Sequence, residues 1–156
     1  IKSSIQLGKA PKMNTLVDMT PADYFSSMVI THMLQESRKA VDNYHIFNVQ
    51  TFTLHELINW VKKFGYHLET ITYDEWQELI IEKSLGDSSL AASDLLPLFM
   101  ERIEIEDTPN DEIDADTSNY QEVLEKYQLT SPQVTETILE NYFNYFIQSG
   151  YLPQPF

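Results

Sequence analysis

The chain contains no cysteine and only four glycines among its 156 residues. The first absence excludes disulfides, thiolate metal sites and cysteine nucleophiles, and it fits a cytoplasmic protein. The second bears on nucleotide chemistry. Gly8, Gly65, Gly86 and Gly150 stand too far apart for a G-x-G-x-x-G turn or a P-loop, both of which need clustered glycines where backbone approaches phosphate. None of the nine tyrosines has a lysine four residues later, so a Tyr-x-x-x-Lys general acid and its electrostatic partner are missing. No serine sits in G-x-S-x-G. No run approaches the ~20 apolar residues of a membrane helix. The first residues also lack the apolar stretch and small-residue cleavage site of a signal peptide. The start at Ile1 reads as a piece cut from a longer polypeptide.

Basic residues are scarce, and unevenly so. Residues 1–66 carry seven Lys or Arg against five Asp or Glu, whereas residues 67–156 carry three against nineteen. A net charge of −14 repels phosphate backbones and anionic lipids, which argues against nucleic acid and membrane as partners. Hydrophobic residues make up 42%, enough to bury a core.

What is present is a pattern of capped helices and short strands in a helix-rich α/β order. Asn14–Met19 reads as a short strand. Thr20-Pro21-Ala22-Asp23 then reads as a helix start, with Thr20 as N-cap and Pro21 at the first helical position, running to about Gln35. The Gly8–Pro11 stretch before it reads as a turn. Tyr44–Asn48 is aromatic and β-branched, as a strand is. Thr53…Glu56 and Thr72…Glu75 are capping boxes opening two helices, with a strand over Leu68–Ile71 between them. Gly65 stands where a helix C-terminus wants a glycine. Residues 87–99 look helical with a break at Pro97. Residues 101–119 read as an acidic loop or lid, 119–128 as a helix, and the last helix starts near Ser131-Pro132. One piece is expected over 1–156, with a strand-and-helix part at 1–86 and a helical part at 87–156. Three short strands cannot make a stable sheet unaided, so the sheet is expected to be completed by upstream sequence.

His32, His45, His55 and His67 never fall at H-x-x-x-H spacing, and no metal site is expected from them. One loop resembles an EF-hand in part: Asp114, Asp116, Ser118 and Glu125 fall at positions 1, 3, 5 and 12, with Asn119 in place of the glycine. An ordinary acidic loop before a capped helix is the favoured reading of that stretch.

Three segments carry a resemblance: VDMTPADYFSSMVITHML (17–34), YHIFNVQTFTLHELINWVKKFGYHLETITYDEWQELI (44–80) and ILENYFNYFIQSGYLPQP (138–155). Asp18, Pro21 and Asp23 match a V-D-x-x-P-V-D-like strand-to-helix step. Phe47, Asn48 and Leu57 match the next motif, and Gly65, Tyr66, Tyr73 and Trp76 the one after. Tyr142, Phe143, Phe146, Gly150, Leu152 and Pro153 match an aromatic final helix. Together they resemble the C-terminal part of extended short-chain dehydrogenase/reductase domains. Most similar are the terminal thioester reductases of nonribosomal peptide and polyketide synthetases, with the related aminoadipate and carboxylic acid reductases. Ala22 departs from the pattern, as does the lack of Pro and Trp near Val49 and Leu54.

The resemblance implies a Rossmann-type reductase that uses NADPH to release a thioester from a phosphopantetheinyl carrier protein as aldehyde or alcohol. In that family the nucleotide fingerprint and catalytic residues lie upstream, so this segment alone should be inactive and bind no cofactor. It would supply the substrate-binding subdomain and the last strands of the sheet. Strand-end residues Asp18, Met19, Thr20, Phe47 and Asn48 are the expected pocket lining. Carrier proteins of this class are acidic, so Lys9, Lys12, Arg38, Lys39, Lys62 and Lys63 are the expected docking residues. The contrasting expectation is a non-catalytic acidic interaction domain, with calcium at 114–125 as its variant.

Overall fold

The computed structural model describes residues 1–34, 44–46, 48, 51–100 and 116–155. Along the chain run α1 (Lys2–Leu7), β1 (Lys9–Pro11), β2 (Leu16–Val17), α2 (Ala22–Met33), β3 (Phe52–Thr53) and α3 (Leu54–Lys63). Then follow β4 (Glu69–Ile71), α4 (Tyr73–Gly86), a 3-10 turn (Ser93–Leu95), α5 (Leu96–Met100), α6 (Ser118–Tyr127) and α7 (Glu136–Gln148). Two compact units result. The first is built from Ile1–Thr15, Thr53–Asn110 and Glu136–Phe156, the second from Leu16–Phe52 and Asp111–Thr135. They interleave along the chain.

In the first unit, β1 and β4 pair in parallel, with Lys9 opposite Glu69, Ala10 opposite Thr70 and Pro11 opposite Ile71. β1 occupies the stretch expected to be a turn. Nothing local marks three residues, one of them proline, as a strand; the partner about sixty residues away makes it one. In the same unit α3 buries Leu57, Ile58, Trp60 and Val61. Trp60 meets Phe143 of α7 edge-on at 5.0 Å between ring centroids, and stacks on Phe64 at 5.4 Å. The buried Tyr66 donates its hydroxyl to the Pro153 carbonyl at 2.6 Å, and burial pushes its phenol up. A second cluster gathers Ile80, Leu90 and Ala92 with Leu7, Trp76 and Phe99 around it. Among the aromatic residues of α7, Phe143 is buried and Tyr145 is 66% exposed.

Both capping boxes form. The Glu56 N–H donates to the Thr53 hydroxyl while Glu56 accepts from the Thr53 N–H, and Thr72 and Glu75 repeat the arrangement. The Thr53 N–H first, then its hydroxyl, hold Glu56 below the ordinary glutamate range. For Glu75 the order is the Thr72 hydroxyl, then its N–H. Thr53→Ala is expected to cost about 1 kcal/mol, the usual worth of a helix N-cap, and Thr72→Ala to destabilise in the same way. The folded chain binds the two glutamate protons less tightly than the unfolded one. Their contribution is therefore complete above the unperturbed value of 4.5 and is lost as pH falls through the lowered folded values. Thermal melts across acid pH should show the gap between wild type and each variant narrowing below that value. A constant gap would mean the carboxylates contribute nothing.

In the second unit, α2 packs on α6 through Met28, Tyr120, Val123 and Leu124. Tyr44 and Ile46 cover this cluster, and Tyr44 lies against His32 at 4.7 Å. The described part of 44–48 is accordingly not a strand. Tyr44 and Ile46 are half-buried against helices rather than in a sheet, and the strand of this region is β3, paired with β2. Helix α2 also starts later than expected. Pro21 is extended, with ψ 133, and serves as N-cap without a side-chain bond, so Thr20 is not the cap. The last helix begins at Glu136 rather than near Ser131, because the Ser131 hydroxyl is used elsewhere.

Candidate functional site

Residues 18–20 follow the carboxyl end of β2, the side on which open α/β sheets receive ligands. The buried Asn48 organises them. Its main-chain N–H donates to Asp18 Oδ1 at 3.0 Å. Its Nδ2 donates to the Met19 carbonyl at 2.8 Å and to the Pro132 carbonyl at 2.9 Å. Its Oδ1 accepts from Ser131 Oγ at 2.8 Å. One amide thus joins the strand end before α2 to the segment after α6, with both N–H bonds and the carbonyl engaged.

Of the five expected pocket residues, Asp18, Met19 and Asn48 are brought together and Thr20 adjoins them. Phe47 lies outside the described residues. Asn48 is 2% exposed, so its place is inside the packing rather than on a surface. With residues 18 and 19 held by Asn48, the chain reaches Pro21 extended, which accounts for the late start of α2. The sequence pattern does not single out Ser131. A serine before a proline signals a helix cap locally, and only the fold turns its hydroxyl toward Asn48. Nearby within the same unit, the hydroxyls of Tyr24 and Tyr120 share a hydrogen bond of 3.0 Å. Burial first, then that bond, push the Tyr24 phenol far up, so it stays neutral at physiological pH.

Three of the expected docking residues already have partners. Lys9 pairs with Glu69 at 2.9 Å across the strand ladder. Lys62 donates to Thr70 Oγ1 at 2.6 Å, and Lys63 meets Glu136 at 3.2 Å. Lys62 and Lys63 line an open groove of about 640 Å³ with Glu56, Asn59, Trp60 and Glu136. Lys12 is exposed, and Arg38 and Lys39 lie outside the described residues. Exposed pairs such as Lys63–Glu136 are worth about 0–1 kcal/mol and yield readily to a competing carboxylate.

From Ser118 on, the stretch expected as the calcium variant is helical rather than a loop; Asp114 lies outside the described residues. α6 begins at Ser118, so EF-hand positions 5 to 12 would lie on a helix, with Glu125 two turns along it. The Asp116 carboxylate instead accepts the Ser118 N–H at 2.9 Å. Among the described residues no group of three or more His, Asp or Glu is placed to hold a metal. None of their helices is long and apolar enough to cross a membrane. The glycines likewise offer no phosphate cradle: Gly8, Gly65 and Gly150 each follow a helix, and Gly86 ends one.

No model of a known protein family matches the chain. Its fold is nonetheless a known one: helix-rich α/β, matching the C-terminal part of a terminal reductase domain. The solved structure is the terminal R domain from the myxalamid PKS-NRPS biosynthetic pathway, with a TM-score of 0.80 and 26% identity. The match covers 99% of this chain and 38% of that one. In sequence the chain is 28% identical over 150 residues to a linear gramicidin synthase subunit of Brevibacillus parabrevis, covering 95% of itself and 3% of that protein. It is 27% identical over 173 residues to the L-2-aminoadipate reductase large subunit of Eremothecium gossypii, covering 99% of itself and 11% of that protein. The chain therefore spans a small part of the length of the curated relatives it matches. The resemblance to terminal and aminoadipate reductases holds in both sequence and fold.

Proposed function

We propose that this chain is the substrate-side, C-terminal portion of an NADPH-dependent thioester reductase that frees a carrier-bound acyl or peptidyl group as aldehyde or alcohol. The observation that carries this reading is the fit of nearly the whole chain to 38% of an R domain, at a TM-score of 0.80. Since no glycine cluster or Tyr-x-x-x-Lys occurs here, the nucleotide and the catalytic acid belong to the rest of the domain. NADPH would supply hydride to the thioester carbonyl. The residues of this chain would bind and orient the acyl group and complete the fold, working in the cytoplasm. The breadth of the likeness to reductases, 95–99% of the chain, favours this reading over a free-standing acidic interaction domain.

Two measurements test it. The intact polypeptide should oxidise NADPH in the presence of an acyl-carrier thioester, and residues 1–156 alone should neither bind NADPH nor turn over. NADPH binding by the isolated segment, or no turnover by the intact protein, would overturn the reading. Among the proposed docking residues, Lys62 and Lys63 are the pair best prepared for an acidic partner, because their present bonds are to a hydroxyl and an exposed carboxylate. Reversing both to glutamate should raise KM for the carrier-bound thioester at low salt by about tenfold while sparing small-thiol thioesters. An unchanged KM removes that pair from the docking surface.

A further inference from the structure

We infer that Asn48 and Ser131 are positioning residues for the strand end Asp18–Thr20, and that the Thr20 hydroxyl is what this device presents to an amide-bearing acyl thioester. The inference rests on the thioester reductase reading above and refines which residues of its pocket touch substrate.

Asn48 is taken up in holding the strand end in this arrangement. Both of its amide hydrogens are committed to the Met19 and Pro132 carbonyls, so it cannot donate to a ligand without breaking a bond already made inside the unit, and its carbonyl oxygen already accepts from Ser131. Thr20 is in the opposite condition. It is half-buried, lies three residues beyond the end of β2, and its hydroxyl makes no hydrogen bond among the described residues. A hydroxyl donates and accepts, as the amides of a pantetheine arm or peptidyl chain require. Met19 links the two: its carbonyl is held by Asn48, and Thr20 is the next residue, so the position of the hydroxyl depends on the Asn48–Ser131 bond. Misplacement by about 1 Å is enough to impair a substrate contact. Ser131 matters because it fixes the orientation of the amide. With its O–H bonded to Oδ1, the two N–H groups must face the carbonyls.

The test uses the intact reductase with an acyl-carrier thioester and with the same acyl group on a short amide-containing thiol. Thr20→Val and Ser131→Ala should each raise KM for both thioesters by about 3- to 10-fold, the worth of one hydrogen bond. KM for NADPH should stay unchanged. Thr20→Ser should restore the wild-type value, and the double variant should add little to Thr20→Val. A purely structural role predicts otherwise: lower kcat with the loss of folded enzyme, and unmoved KM for every substrate. That result overturns the inference. If Ser131→Ala does not fold, the Thr20→Val and Thr20→Ser pair decides alone, since Thr20 makes no bond whose loss would unfold the chain. A wild-type enzyme that reduces no thioester removes the reductase reading itself. An active wild type with indifferent Thr20 variants removes only this inference.

Discussion

Asn48→Leu is expected to lower the thermal midpoint of the chain by roughly 6–12 °C or to abolish the cooperative transition of the second unit. Leucine has the same branched outline as asparagine, so the effect reads chiefly the hydrogen bonding. The substitution strands the Met19 carbonyl, the Pro132 carbonyl and the Ser131 hydroxyl, each of which has Asn48 as its partner. Leaving a buried polar group unpaired costs about 1–3 kcal/mol. Ser131 is buried and the two carbonyls belong to half-buried residues, so the three together cost about 3 kcal/mol, which at about 2–4 °C per kcal/mol for a chain of this size gives the stated shift. Domains have only about 5–15 kcal/mol in total, so the upper end of the range is unfolding. Far-UV circular dichroism through a melt reads the result. A loss under about 3 °C would show that water replaces the amide at little cost, and that the clip is dispensable.

Gly65→Ala is expected to lose about 1–3 kcal/mol, read as a drop of several degrees in the same melt. Gly65 follows the C-cap of α3 with φ 117, a conformation that L-residues rarely adopt. An added Cβ would also stand 3.0 Å from the Pro155 Cβ. The two causes can be separated. Pro155→Gly in the Gly65→Ala background removes the Cβ that the new side chain would meet, so only the crowding component should relax. If the double variant regains full stability, the strain in φ was not the cost. The same glycine ends a helix whose last turn carries Lys62 and Lys63 on the proposed docking groove, so the substitution should disturb that groove as well.

The features legible along the chain are those whose cause is local. Thr53 and Thr72 announce their helices because a hydroxyl, three residues and a glutamate contain the whole capping interaction. Gly65 marks the end of α3 for the same reason. The absence of clustered glycines leaves the chain without a G-x-G-x-x-G turn or a P-loop, whatever its fold. The resemblance to terminal reductases is equally legible, because ordered motifs at matching spacing remain visible where overall identity is 26–28%.

Other features are not local, and local preference misleads about them or is silent. β1 is a strand because β4 lies beside it, and its own Lys-Ala-Pro says nothing of that. Tyr44–Ile46 has the composition of a strand but finds its burial on α2 and α6. Pro21 sits one position earlier in the helix frame than its sequence suggests, because the chain before it is held by Asn48. Ser131 has the local signature of a helix start and is instead part of a buried node. The sequence by itself determined the helix caps, the absence of the glycine-rich nucleotide motifs and the family likeness, all settled within a few residues or by composition. Only the tertiary structure decided which strands pair, that Asn48 holds the Met19 and Pro132 carbonyls, and that Ser131 bonds to it. The bonds of that clip join groups from 29 to 84 residues apart, and no local preference encodes such a meeting.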